Sequence, residues 1–267
     1  MNNVLHIIKE QISNRQLILR LAAYELKSSY RMNYLGLFWS FLVPVLQILV
    51  FWVVFGMGIR SGSPVGDTPY FAWLVIGLVP WFYISPSILQ GANSVYSKVN
   101  LVSKMKFPVS ILPSIEIAKN TFNFLIMLGI LIIILLSYGI NSGLYLLQLP
   151  YYLIALFTFL YSVSLLLSTL STIIRDVQLL LQAAMRMLFF LTPIFWDPNN
   201  LPEAFKTTLQ LNPLYYLVDG FRNTFLGYSW FFEDMTYTLY FWYLTLLLLF
   251  VGAALHAKFK DKFVDYL

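Results

Sequence analysis

Residues 34–59 read YLGLFWSFLVPVLQILVFWVVFGMGI, without a single charge, and directly before them stand Arg15, Arg20, Lys27 and Arg31. An α-helix needs roughly 20 apolar residues to cross the hydrocarbon core, and Lys or Arg flanking a first span bias that side to the cytoplasm. The junction therefore reads as the start of a membrane bundle whose N-terminal segment stays inside. A buried helix of a large soluble protein is the ordinary alternative, and composition excludes it. The 267 residues are 59% hydrophobic and only 11% charged, against about 25% charged in soluble domains, and the mean hydropathy is +0.73.

No long polar segment leaves room for a separate soluble catalytic domain. Cysteine is absent, which excludes disulfides and thiolate metal sites, and His6 and His256 lie at opposite ends of the chain, so no metal or haem site is readable. The N-terminus carries Lys9, Glu10 and Arg15 ahead of any long apolar run, unlike a cleavable signal peptide, and is expected to be a mature cytoplasmic segment.

Outward from the first span, Arg60 and the turn-rich 61–67 close it, and a second span falls within 68–97. Pro69, Pro80 and Pro86 there remove backbone donors and suggest a broken or tilted helix. After Lys98, Lys104 and Lys106, residues 120–174 carry no charge. That is too long for one span and right for a hairpin, which Gly139-Ile-Asn-Ser-Gly143 divides into spans near 114–138 and 148–173, with Arg175-Asp176 as the cytoplasmic turn. A fifth span, 177–195, ends at Thr192-Pro193. The polar stretch 197–234 holds apolar pieces at 209–218 and 224–232, read as short helices dipping into the outer leaflet or as surface loops, and the sixth span is 235–255. The fold class expected is an all-α membrane protein of six transmembrane helices behind a cytoplasmic interfacial helix. Its parts are an interfacial segment 1–33, a membrane domain 34–258 and a cytoplasmic tail 259–267.

Charge supports that topology independently. Of the 17 basic residues, Lys9, Arg15, Arg20, Lys27, Arg31, Lys98, Lys104, Lys106, Lys119, Arg175, Lys258, Lys260 and Lys262 fall on the proposed cytoplasmic side. Only Arg60, Lys206 and Arg222 fall outside, and Arg186 lies within a span. The outer side instead carries Asp67, Asp197, Glu203, Asp219, Glu233 and Asp234. No internal repeat suggests a duplicated secondary transporter.

Leu26-Lys-Ser-Ser-Tyr-Arg31, then Tyr34-Leu-Gly-Leu-Phe-Trp-Ser40 with Pro44, resembles the opening signature of the membrane subunits of ABC-2 type exporters for polysaccharides and related polymers. Ser103-Lys-Met-Lys-Phe-Pro108 with Leu112-Pro113, Arg175-Asp176, Thr192-Pro-Ile194, Asn212-Pro213 and the tail Lys262-Phe-Val-Asp-Tyr-Leu267 extend the resemblance along the chain in order. Within that family, Phe55-Gly-Met-Gly-Ile-Arg-Ser61 and Val102-Ser-Lys-Met-Lys-Phe-Pro108 look most like the branch that exports wall teichoic acid, with O-antigen and capsule exporters sharing the framework. The resemblance implies the ABC-2 (type V) exporter fold and a homodimer bound to two copies of a separate ATPase that holds ATP and Mg. Its implied cargo is an undecaprenyl-diphosphate-linked polymer, moved outward across the plasma membrane of a Gram-positive bacterium. Membrane lipid is a partner on this reading and nucleic acid is not.

The residues agree on the division of labour. None of the 13 glycines is followed by lysine, so a Walker A loop is absent from the sequence. The segment 94–113 mixes basic and apolar residues. Since the family places a coupling helix between spans two and three, Tyr96, Lys98, Leu101, Lys104, Lys106 and Phe107 are candidates for ATPase contact, the bland reading being lysines that hold anionic headgroups. Leu5, Ile8 and Ile12, and Leu17 with Leu21, alternate with Lys9, Arg15 and Arg20 at helical spacing, as in interfacial helices. Ser13 or Asn14 would cap the second. Lys27, Tyr30, Arg31, Tyr34 and Trp39 follow as a gate for lipid-linked substrate.

Arg186, about 15 Å into the fifth span at 1.5 Å per residue, carries a charge costing on the order of 2.5–3.5 kcal/mol to insert. It should face a partner or a wet cavity, either as a phosphate ligand or as a structural donor. With Trp73, Trp81, Phe82, Tyr83 and Trp196 it makes up the candidate substrate path, although most aromatics here suit interfacial belts. A drug or lipid exporter would use the same fold. A membrane-embedded transferase would need clustered carboxylates or histidines that the sequence scatters. A proton-coupled carrier lacks a mid-span carboxylate, the nearest being Glu116, near the cytoplasmic end with Lys119 in pairing reach.

Overall fold

The computed structural model describes residues 2–30, 34–36, 38–59, 64–98, 107–198, 202–260 and 263. Among these residues ten α-helices follow one another: α1 (Asn2–Ser13), α2 (Arg15–Tyr30), α3 (Phe38–Phe51, widening into the π-helical turns Trp52–Ile59), α4 (Tyr70–Ser97) and α5 (Leu112–Ser137), then α6 (Leu149–Ile173), α7 (Asp176–Leu191), α8 (Glu203–Gln210), α9 (Pro213–Leu226) and α10 (Met235–Phe259). Among the described residues β pairing is limited to an isolated bridge between Val65 and Thr68.

The first half of α4, 70–84, is apolar on every face, which is the pattern of a helix buried all round, and α4 is the element around which the others pack. Leu74, Val75, Ile76, Leu78, Val79 and Ile84 are completely buried, and α3, α5, α6, α7 and α9 all lie against it. The expected break at Pro80 and Pro86 does not occur: both sit inside one helix of 28 residues. Each proline removes one backbone donor, and the neighbours that enclose α4 hold the helix continuous across both positions.

Turn chemistry sets the hairpin between α5 and α6 where the sequence places it. Gly139 and Gly143 take φ of 68° and 56°, a region favourable to glycine, and Asn141 Oδ1 accepts from Gly143 N at 3.0 Å. In the 197–234 stretch the expected boundaries shift. Asn212 caps α9 by accepting from Leu214 N at 3.0 Å and Pro213 opens the first turn, so a helix ends and another begins inside 209–218. Gly227, at φ 70°, ends α9, and 224–232 is no separate helix. Between α1 and α2, Asn14 Nδ2 donates back to Glu10 O at 2.8 Å, closing the end of α1.

Among the described residues five helices are long and apolar enough to cross a membrane: Phe38–Phe55, Tyr70–Ser97, Val109–Ser137, Gly143–Ile173 and Met235–Phe259. The chain is a multi-pass membrane protein. The fifth expected span is α7, whose 16 residues reach about 24 Å at 1.5 Å per residue. Beyond it the chain leaves the helix at Thr192 with extended backbone. Contacts along α4 show the course: Gln178 Nε2 donates to Leu89 O, Phe189 packs on Trp81, and Tyr70 Oη donates to Phe195 O. α7 with residues 192–196 therefore travels the length of α4, making the sixth traverse of the bundle with α3, α4, α5, α6 and α10.

Two poles result. One gathers α1, α2, the end of α4, the start of α5, the α6–α7 turn and the end of α10. The other gathers the 65–68 turn, the α5–α6 hairpin, α8 and α9. The interfacial helices belong to the first: Ile7 packs against Leu165, Leu249 and Ala253, and Ile18 and Ala22 against Ile111, Leu112 and Ile115. Leu5, Ile8 and Ile12 remain exposed on α1, an apolar face suited to the membrane interface.

Candidate functional site

At the first pole a quartet of charges ties three elements together. Lys98 Nζ, at the end of α4, is 2.5 Å from Glu25 Oε1 on α2 and 2.8 Å from Glu116 Oε1 on α5. Lys119 pairs with Glu116 Oε2 and lies 3.9 Å from Glu25 Oε2. The Glu116–Lys119 pair is legible at i,i+3 spacing; Glu25 and Lys98 come from distant sequence. A second network pins α1: Gln11 Nε2 donates to Tyr161 Oη at 2.9 Å and Ser110 O at 3.1 Å, while Gln11 Oε1 accepts from Ser114 at 2.7 Å.

Leu101, Lys104 and Lys106, candidates for ATPase contact, lie outside the described residues, as does Arg31. Lys98 is engaged in the quartet. The Tyr96 ring lies under the Arg175 guanidinium at 4.3 Å, so the cytoplasmic turn is bound to the end of α4. Phe107 is half-buried against the cluster of Ile111, Ile115 and Ile18. Asp176 begins α7, where a carboxylate suits the positive end of the helix dipole. Of the gate candidates, Lys27 and Tyr34 are exposed, Trp39 is half-buried, and Tyr30 ends α2.

Arg186 is exposed on α7. Its neighbours on that face, Leu179, Met187 and Phe190, are also exposed, and so is most of α3, including Phe41, Leu49 and Val53. An apolar surface with a guanidinium at mid-traverse faces something other than this chain. Three candidates for the substrate path are instead packed inside: Trp73, Trp81 and Tyr83 are each at most 5% exposed. Trp81 contacts Phe189, and Tyr83 stacks on Phe124 at 4.6 Å and hydrogen-bonds Thr121 at 3.0 Å. They belong to the core because α4 is central. Phe82 packs on Phe51 from a half-buried position, and Trp196 Nε1 donates to Phe190 O at 2.9 Å, closing the end of α7.

At the second pole stands Arg222, which by sequence reads as an outer-loop charge. It is 2% exposed, its Cζ stands over the Trp73 ring 3.5 Å from the centroid, and it donates through Nη2 to Ile194 O at 2.8 Å. Gly77 makes the space, since a Cβ there would lie 2.9 Å from Arg222 Nη2 and 3.1 Å from Ile194 O. Burial pushes the guanidinium down to about 10, opposed by Asp219 one turn earlier. Burial also holds the Asp219 carboxyl above the usual carboxylate range, against the pull of Arg222 and Asn223. Asn223 Nδ2 donates to Asp219 Oδ2 at 3.3 Å. The mostly apolar character of 213–226 was the one sequence signal that this stretch packs inside, and the two charges within it masked that signal.

Residues 16–226 match the ABC-2 type transporter family. The chain belongs to that family. ABC-2 relatives extend the similarity: it is 27% identical to the O-antigen export system permease protein RfbA of Myxococcus xanthus over 83% of this chain and 85% of that one. An O-antigen export system permease protein RfbA of Klebsiella pneumoniae is 26% identical over 91% and 92%. The polysialic acid transport protein KpsM of Escherichia coli is 24% identical over 87% and 89%. The family-level resemblance in the sequence is thereby established for this ABC-2 chain. The narrower likeness to the teichoic acid branch finds no support among these relatives.

Among the described residues no group of three or more His, Asp or Glu could hold a metal ion. The six traverses leave two features for the transport role of an ABC-2 subunit: the uncovered α3–α7 face with Arg186, and the polar clefts around α9.

Proposed function

We propose that this chain is the membrane subunit of an ATP-driven exporter that moves a lipid-linked polysaccharide outward across the plasma membrane, both termini being cytoplasmic. The observation that carries the reading is collinear similarity to named polysaccharide permeases over more than four-fifths of the chain. ATP and Mg are held by a separate subunit, in keeping with the absence of any Gly-Lys pair. Two copies of the chain face each other across the α3–α7 surface, where a guanidinium could not rest against lipid tails without the insertion cost given above. ATP binding and hydrolysis in the partner supply the differential affinity that shifts the dimer between states.

Teichoic acid gives way to polysaccharide as cargo, and the Gram-positive source, which rested on that likeness alone, goes with it. The six acids of the second pole suit a polymer without a phosphodiester backbone. Arg186 then serves the one phosphorylated part of the cargo, the diphosphate linkage, for which the planar guanidinium fork is suited. Arg186→Lys is expected to lower polymer export about tenfold at unchanged protein level, because a point charge replaces a bidentate donor. Normal export by that variant removes the phosphate role.

Gentle detergent extraction of the tagged chain from its native membrane, with mass spectrometry of what co-purifies, tests the whole reading. A stoichiometric ATPase and a lipid-diphosphate glycan are expected. Recovery without an ATPase, under conditions that keep other complexes intact, overturns it.

A further inference from the structure

Two clefts open beside α9 at the second pole. One, of about 530 Å³, is bounded by the 65–68 turn, Asp197, α8 and α9, with Lys206, Asp219, Arg222, Asn223 and Tyr228 on its walls. The other, of about 290 Å³, lies between α9 and the start of α10 and includes Trp230, Glu233 and Asp234. Asp219 and Asn223 line both, so the two clefts adjoin at that pair and are treated together as a groove. Each is in or close to the roughly 300–1,000 Å³ range of small-molecule sites.

The lining selects a class of ligand. Carboxylates accept, the lysine donates, and the Asn223 amide and tyrosine hydroxyl do both, which answers a ligand whose hydroxyls alternately donate and accept. Trp230, stacked between Tyr145 at 4.9 Å and Phe232 at 5.6 Å, forms an aromatic rim. The charges oppose an anion: Asp67, Asp197, Asp219, Glu233 and Asp234 outnumber Lys206 and Arg222 along the two clefts. Arg222, 2% exposed, and Trp73, 3% exposed, both reach the wall of the larger cleft, so a guanidinium held in place by the core and an aromatic side chain stand on it.

We propose that this groove binds a neutral oligosaccharide of about two or three sugar units, astride Asp219 and Asn223. It rests on the polysaccharide reading above and places a holding site for the glycan where the chain ends its outward path. A glycan retained there is hindered from slipping back while the transporter resets.

The test uses the complete transporter with its ATPase subunit in lipid nanodiscs and saturation-transfer NMR, with mannotriose, chitotriose and a glycerol phosphate trimer as probes. At least one trisaccharide is expected to receive saturation, and the phosphate oligomer none. Asn223→Ala and Lys206→Ala, both at partly exposed positions, are each expected to weaken trisaccharide binding about tenfold. Absence of transfer to both trisaccharides, titrations unchanged in both variants, or equal binding of the phosphate oligomer overturns the inference. Export is scored separately in cells. A complex that exports polysaccharide but binds no trisaccharide overturns this site alone, and one that binds trisaccharide but exports none overturns the proposed function alone.

Discussion

Glu116→Gln is expected to destabilise the protein by about 3 kcal/mol, at the lower end of the cost of breaking a buried ion pair. Both carboxylate oxygens are committed: Oε1 to Lys98 at 2.8 Å and Oε2 to Lys119. With the charge gone, Lys98 keeps Glu25 at 2.5 Å, but Lys119 retains only Glu25 at 3.9 Å. A balanced quartet becomes one with an excess ammonium. Both lysine side chains are about one-fifth exposed and the glutamate 8%, so water reaches the ammoniums without fully screening them. Thermal unfolding in nanodiscs measures the loss. Adding Lys119→Gln should restore part of it, because the double variant again has equal numbers of each charge, and the cycle isolates the coupling. A Glu116→Gln variant within about 0.5 kcal/mol of the parent would make the quartet equivalent to a surface pair. It could then not be what fastens the interfacial helix α2 to the α4–α5 connection.

The quartet also marks where sequence reading reached its limit. Spans were legible because the bilayer demands long uncharged runs, and the α5–α6 hairpin because Gly139 and Gly143 announce their own turn. The Glu116–Lys119 pair was legible from helical spacing alone. Glu25 and Lys98 were not, since their partners lie tens of residues away and proximity of that kind is made by packing. The same reason hid Arg222: its position in a polar stretch suggested an outer loop, whereas the space left by Gly77 and the face of Trp73 on α4 take it into the core. The aromatics of α4 misled in the opposite sense. Trp73, Trp81 and Tyr83 look like belt or channel residues when seen as a cluster. Their burial follows from α4 being surrounded, which the apolar run 70–84 encoded but the prolines obscured. Arg186 is exposed on α7, and a charge inside an apolar run must find company, so what it meets is decided outside the fold of the single chain.

Gly220→Ala is expected to cost the folded protein at least about 3 kcal/mol, the upper part of the range for overpacking a core, and to reduce the yield of assembled transporter sharply. A Cβ at this position would lie 2.0 Å from Tyr152 Cε1 and 2.5 Å from its Cζ, so α9 or the ring must move. The ring is 2% exposed and wedged between Tyr151 at 5.1 Å and Tyr216 at 5.8 Å. Tyr216 in turn shares its hydroxyl with Tyr151 at 2.8 Å and Thr238 at 3.0 Å. Rotating Tyr152 disturbs a hydrogen-bonded chain that joins α6, α9 and α10, and shifting α9 pulls Arg222 off Trp73. Tyr152→Phe leaves the obstructing ring atoms in place and should not rescue, whereas Tyr152→Leu removes them and should recover part of the loss in thermal unfolding and yield. If Gly220→Ala folds like the parent, α9 is free to slide against α6. The expected result fixes α9 as a rigid mount for Asp219 and Asn223, in contrast to α8, which buries none of its residues. Motion at this end of the transporter then belongs to α8, with α9 as the surface against which it moves.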